Sequence, residues 1–200
     1  MIKNIVFDLG NVLISFQPDT YLFRRFNNQQ IISELYQKVF RSHDWVELDR
    51  GTITEKEVIE KFCRLYPHLA DSIKSIFADW GEILIPIEGS VDILNRLAKQ
   101  EYNLYVLSNF HLEAFKRISS LDLFKNFDGM VISAKINYIK PEPEIYQHLL
   151  KEFRLIPGET VFIDDVAENI KGAAALGIET IQFKDPVQLE KELKILGIEL

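Results

Sequence analysis

The feature that most constrains this chain is a short apolar run that ends abruptly at a carboxylate. Residues 4–13 read Asn-Ile-Val-Phe-Asp-Leu-Gly-Asn-Val-Leu. Ile, Val and Phe without helical spacing predict a central strand of a parallel sheet, buried on both faces. Asp8, followed closely by Gly10 and Asn11, then stands at the strand's carboxyl end, where open α/β sheets bind their ligands. Taken alone, an Asp before a Gly equally well opens a turn.

Other apolar runs end in the same manner. Asn103–Leu107 stops at Ser108-Asn109, and Thr160–Ile163 stops at the acidic pair Asp164-Asp165. Gly129–Ile132 ends at Ser133 and is followed shortly by Lys140-Pro141. Helical patterns follow these strands, so the alternation predicts βαβ units and a doubly wound, Rossmann-like parallel sheet. Parallel strands bring their ends to one edge, so Asp8, Ser108, Lys140 and Asp164-Asp165 are expected to converge on one crevice.

Those residue types imply a particular chemistry. Carboxylates within ~4 Å of one another repel by about 4 kcal/mol per pair at an effective dielectric near 20, and therefore call for a cation. A hard divalent ion, Mg²⁺ above all, suits Asp8, a nearby backbone carbonyl and Asp165. Zinc is disfavoured, because His43, His68, His111 and His148 are scattered and Cys63 stands alone. Magnesium beside a carboxylate, with a Ser and a Lys for the spare oxygens, is equipment for phosphoryl transfer. Asp8 would attack phosphorus to give an aspartyl-phosphate that water cleaves.

The segments Phe7–Leu13, Val106–Asn109, Lys140-Pro141 and Phe162–Asp165 together resemble, in order and spacing across the chain, the four motifs of the haloacid dehalogenase superfamily of aspartyl-nucleophile phosphatases. Within it the sequence is most similar to the small bacterial phosphatases that act on glucose 1-phosphate and to the amino-terminal phosphatase domain of soluble epoxide hydrolases. The resemblance implies that Asp8 is nucleophile and metal ligand, and that the Gly10 carbonyl and Asp165 are further metal ligands. Asp164 would act on a metal-bound water or orient its neighbour. Ser108 and Asn109 would hold phosphate, and Lys140 would neutralise it. It also implies a small α-helical cap of the C1 type inserted into the Rossmann-like core.

One position departs from that pattern. Most phosphatases of the superfamily carry a second Asp two residues after the nucleophile, which protonates the leaving group; here that position is Gly10. A general acid/base typically supplies about 10²–10⁴-fold. The sugar 1-phosphate phosphatases that the chain resembles also carry Gly there, and an anomeric oxygen is a better leaving group than a simple alcohol. Alternatively a cap residue or an ordered water donates the proton. A phosphate-binding relative with weakened turnover is the competing reading. Dehalogenases of the superfamily also lack the second Asp, but they usually have Tyr there, work without a metal and do not need the acidic pair Asp164-Asp165.

Between Phe16 and Pro86 the texture changes to helical periodicity: Ile31, Ile32, Leu35, Val39 and Phe40, then Val58, Ile59, Phe62 and Leu65, then Ile73, Ile76, Phe77, Trp80 and Leu84. Residues 16–85 are therefore read as a helical cap over a catalytic core of residues 1–15 and 86–200. Hinges are expected near Ser15–Pro18 and Ile85–Gly89. His43-Asp44-Trp45 and Asp49-Arg50-Gly51 are candidate sugar contacts, with capped helix ends and a solvated charge pair as the plainer reading.

In the core, Ser90 is expected to cap a helix that faces Val91, Leu94, Leu97 and Ala98 to the sheet, and Pro141, Glu142 and Glu144 to form the first turn of the next. Ile170, Ala173, Ala174 and Leu176 should line a helix ended by Gly177, with Gly172 packed closely on the sheet. Glu179–Phe183 is a last strand, and Leu189, Leu193 and Leu196 mark a terminal helix. The helix after Ser108-Asn109 should aim its first amides at the crevice. A net charge of −7 without a basic run argues against a nucleic-acid partner. No signal peptide or long apolar segment is seen, which points to a cytoplasmic protein, monomer or homodimer, away from membranes, acting on a small phosphorylated metabolite such as a hexose 1-phosphate.

Overall fold

The computed structural model describes residues 1–79 and 83–200. Along the chain come β1 (Asn4–Phe7), β2 (Ile14–Phe16), α1 (Pro18–Arg25), α2 (Gln29–Leu35), α3 (His43–Arg50), α4 (Glu55–Leu65), α5 (Ala70–Ala78) and β3 (Leu84–Pro86). Then follow α6 (Glu88–Leu97), β4 (Asn103–Ser108), α7 (Leu112–Ile118), β5 (Gly129–Ile132), α8 (Ser133–Ile136) and α9 (Pro143–Glu152). The last elements are β6 (Thr160–Asp164), α10 (Ala167–Ala174), β7 (Glu179–Gln182) and α11 (Pro186–Ile195). Trp80, one of the expected helix-face residues, lies outside the described residues.

Among the described residues five strands form a sheet in the order β5-β4-β1-β6-β7, with every pairing parallel. Alternate residues of β1 fall into different apolar clusters. Ile5 and Phe7 join Val106, Ile163, Leu94 and Leu189, whereas Val6 joins Tyr105, Phe162, Tyr146 and Ala173. The sheet is thus covered on both faces, which is why its strands read as unbroken apolar runs. Register fixes the functional edge: Phe7 lies opposite both Val106 and Ile163, so Asp8 and Asp164 emerge at one level.

The segments expected as hinges pair with each other. Ile14–Phe16 and Leu84–Pro86 form an antiparallel ribbon in which Ser15 faces Ile85. Between them, residues 18–78 are largely helical. Ser42 caps α3 by accepting from the Trp45 amide at 3.1 Å, and Thr54 with Glu57 closes a capping box on α4. Two core helices start elsewhere than expected: α6 begins at Glu88 with Ser90 buried in its first turn, and α9 begins at Pro143 with Glu142 as its cap. In both cases a residue just upstream already holds an extended conformation, so the helix nucleates from that point. Ala174 is exposed rather than inward, while Ala173 is buried. A β-carbon on Gly172 would stand 3.0 Å from the Pro141 carbonyl, which accounts for Gly there. No helix among the described residues is long and apolar enough to cross a membrane.

Candidate active site

The chain leaves β1 through a tight loop. The Leu9 carbonyl accepts from the amides of Leu13 and Ile14 at 3.0 and 2.8 Å, and Asn11 adopts φ 54°. That curl keeps Asp8 at the strand tip, 7% exposed, with its Oδ1 accepting from the Leu9 amide at 2.7 Å. Lys140 Nζ stands 2.8 Å from Asp8 Oδ1 and 2.6 Å from Asp164 Oδ2, and donates to the Leu107 carbonyl at 3.0 Å. Ser108 donates to Asp8. Burial pushes the Asp8 carboxyl up to about 6, against the pull of Lys140 and with the help of Asp164. Burial also works against the Lys140 ammonium, but Asp8 and Asp164 outweigh it and hold its pKa above the usual value.

Asp8, Asp164 and Asp165 each offer a carboxylate oxygen, all within 4.8 Å of one another. An all-oxygen donor set of this size fits a hard divalent cation. The three carboxylates are not equivalent. Asp164 Oδ1 accepts from the Val166 amide and Asn169 Nδ2 at 2.8 and 3.0 Å, and its Oδ2 already meets Lys140. Asp165 is less encumbered: Asn11 Nδ2 reaches its Oδ2 only at 3.5 Å, and burial raises its pKa. Asp8 and Asp165 are therefore the better-placed direct ligands, with Asp164 fixing Lys140 and the start of α10.

Two of the expected phosphate contacts have further partners within the protein. Asn109 lines the adjoining cavity, but its side-chain amide is taken by Lys140: Nδ2 donates to the Lys140 carbonyl at 3.0 Å, and Oδ1 accepts from the Lys140 amide at 2.8 Å. It positions the lysine loop. Three amides after Ser108 also have partners within the protein. That of Phe110 goes to Ser133 Oγ at 2.9 Å, that of His111 to the Asp49 carboxyl, and that of Ala114 to His111 Nδ1 at 3.4 Å. The Phe110 and His111 amides are thus tied by long-range contacts that spacing in the sequence does not reveal, while His111 caps α7 locally by accepting from the Ala114 amide.

Above Gly10 lies a cavity of about 110 Å³. Phe16, Trp45 and Phe110 supply aromatic wall, and Gly10, Asp49 and Asn109 supply the polar positions. Phe16 stacks on Trp45 with ring centroids 6.1 Å apart. Of the candidate sugar contacts, Trp45 and Asp49 face this cavity, whereas His43 is exposed and Asp44 pairs with Lys61 at 2.6 Å. Arg50 reaches the core instead, where its two terminal nitrogens fork onto Glu142 at 2.8 and 2.7 Å.

Residues 2–177 match the sequence model of haloacid dehalogenase-like hydrolases. A D-ribitol-5-phosphate phosphatase of Bacteroides thetaiotaomicron is 26% identical over 208 residues, covering 98% of either chain. Acyl-CoA dehydrogenase family member 10 of mouse is 29% identical over 97% of the present chain, which spans only 19% of that protein's length. Among solved structures, a HAD family enzyme from Bacteroides thetaiotaomicron in complex with magnesium and inorganic phosphate superposes with a TM-score of 0.72. It is 27% identical and is covered over 96% of its chain, against 92% of the present one.

Proposed function

The chain belongs to the haloacid dehalogenase-like hydrolases, and from that premise we propose that it is a magnesium-dependent phosphoric monoester hydrolase acting through an aspartyl-phosphate on Asp8. The observation that carries this reading is the cluster of Asp8, Asp164 and Asp165 around Lys140 at the tips of parallel strands. Asp8, Asp165 and the Gly10 carbonyl would hold the ion. When bound, it neutralises phosphate oxygens and keeps Asp8 ionised. Ser108 and Lys140 face the Asp8 carboxylate, so each can bind a phosphate oxygen as Asp8 closes on phosphorus. Asp8 attacks, the ester oxygen departs, and water then cleaves the acyl-phosphate.

Residues 16–85 act in this proposal as a cap that excludes water and selects the leaving group. The substrate is a small phosphorylated metabolite, with sugar phosphates such as a hexose 1-phosphate first in line. The D-ribitol-5-phosphate phosphatase, alike over its whole length, supports a polyol or sugar ester. The aromatic wall of the cavity favours a second class, esters of less polar alcohols, which deserve a place beside sugars in any survey. A cytoplasmic monomer or homodimer belongs to the same proposal.

The test is phosphate release from sugar 1-phosphates, terminal polyol phosphates, an isoprenoid-alcohol phosphate and 4-nitrophenyl phosphate, with Mg²⁺ or chelator. Metal-dependent release that disappears in Asp8→Asn is the expected result. Metal and phosphate binding without release, even from the aryl ester, would instead make this a phosphate-binding relative.

A further inference from the structure

The cavity above Gly10 contains one carboxyl that the chemistry so far leaves unused. Asp49, near the end of α3, lines it together with Gly10. Its backbone is tied to the core, because Ser133 Oγ donates to the Asp49 carbonyl while accepting from the Phe110 amide. The next residues are tied as well. Arg50 forks onto Glu142 and Asn137 Nδ2 donates to the Arg50 carbonyl at 3.0 Å. Gly51 closes on Ala134 at φ 84°, where a β-carbon would collide with the Ala134 backbone. Three successive residues are thus held to the segment that leads into Lys140, which fixes Asp49 over the nucleophile's loop.

The Asp49 carboxyl accepts from the Trp45 indole N–H and the His111 amide, both neutral donors. Burial, with the charge of Asp8 nearby, pushes it up to about 8. A carboxyl in that condition is an acid at neutral pH. Gly10, meanwhile, leaves the strand end without a proton donor of its own.

We propose that Asp49 takes the role of the carboxyl missing at position 10, giving its proton to the departing ester oxygen and recovering one from the hydrolytic water. The proposal rests on the phosphatase reading above. In the first step an Asp8 oxygen forms a bond to phosphorus, the phosphorus–ester oxygen bond breaks, and the leaving oxygen takes the Asp49 proton and departs as an alcohol. In the second, water bonds to phosphorus as its proton passes to the Asp49 carboxylate. The acyl-phosphate bond then breaks, restoring the Asp8 carboxylate and releasing phosphate.

Leaving-group dependence separates a proton donor from a merely structural residue. Asp49→Asn is isosteric and can still accept from Trp45 and His111 through its amide oxygen. In single-turnover measurements, release of the alcohol from a primary ester such as ribitol 5-phosphate should fall by about 10²–10⁴-fold, and release of 4-nitrophenolate by less than about tenfold. Phosphorylated Asp8 should accumulate with the aryl ester, since its hydrolysis also needs Asp49. A β-carbon on Gly10 would meet nothing within 4 Å, so Gly10→Asp has room. Adding it to Asp49→Asn should restore the alkyl ester to within about tenfold of wild type. An equal fall with both esters, or none with the alkyl ester, would overturn the role of Asp49 while leaving the phosphatase reading intact. If wild type releases phosphate from neither ester, the phosphatase reading falls and Asp49 with it.

Discussion

Asp49 lines the cavity above Gly10 and Asp8 stands two residues before that glycine, and the surroundings of the two carboxyls push them to different ends. Asp8 comes from a strand tip and meets an ammonium 2.8 Å away, so that burial raises its pKa only to about 6. Asp49 comes from a helix end and meets an indole N–H and an amide, so that burial raises it to about 8. Both carboxyls are sheltered; a cation beside one and neutral donors beside the other make the difference. Divergent environments of this kind are how one site keeps a nucleophile ionised and an acid protonated at the same pH.

The largest effect that could break this contrast is loss of the nucleophile. Asp8→Asn should lower turnover at least ~10⁴-fold in steady-state phosphate release, because no neighbouring carboxylate shares its place beside Ser108. Residual activity near wild type would move the nucleophile elsewhere.

Removing the cation that distinguishes the two sides comes next. Lys140→Met leaves Asp8 and Asp164 buried without their shared partner, which should cost about 3–5 kcal/mol in chelator, measured by urea unfolding. Added Mg²⁺ should recover part of that loss, since a divalent ion replaces the missing charge among the same carboxylates.

The pH dependence of stability sharpens the contrast further. An Asp whose pKa is raised by folding keeps its proton in the native state after the unfolded chain has lost it, so unfolding releases a proton and stability falls as pH rises. For Asp8 the fall runs from about pH 4 to about 6, and for Asp49 on to about 8. His111, which also faces Asp49, is driven down to about 4 by burial and by Arg117. The unfolded chain therefore holds a proton there up to about pH 7 that the native state lacks, and this imidazole opposes the Asp49 fall between about pH 6 and 7. In chelator, stability should decline most steeply between about pH 7 and 8, with a slope below about 1.4 kcal/mol per pH unit. Asp49→Asn should abolish the decline and leave a rise below about pH 7 from His111.

The smallest effect concerns what holds Asp49 over the cavity. Arg50→Ala removes a forked but partly exposed contact to Glu142, with an expected cost of about 1 kcal/mol. The accompanying rise in KM should exceed any change in the rate of aryl-ester cleavage, because the residue orients the helix end and touches no reacting group.

Much of the core was legible because its signals are local. A strand buried on both faces must be an apolar run, and a polar residue tolerated at its end is visible in sequence, which is why Asp8, Ser108, Lys140 and Asp164-Asp165 could be grouped before their contacts were known. Asp49 was visible only as part of Asp49-Arg50-Gly51, a pattern that any helix ending in a left-handed Gly would show. Its distinction depends on Trp45, His111 and Ser133, which reach it through the fold. The ribbon of Ile14–Phe16 with Leu84–Pro86 escaped for a different reason: three residues are too few to display a period. Amides taken at Phe110 and His111 are equally invisible, since their partners Ser133 and Asp49 reach them only through the fold.

Gly10 has a consequence for the history open to this chain. The backbone there leaves a β-carbon's surroundings clear, and Gly and Asp codons can differ by a single base. A lineage carrying this fold therefore stands one mutational step from two acids serving one ester. With Asp49 as the proton donor proposed above, a carboxyl at position 10 would give the site two acids, and losing either one would leave the other in place.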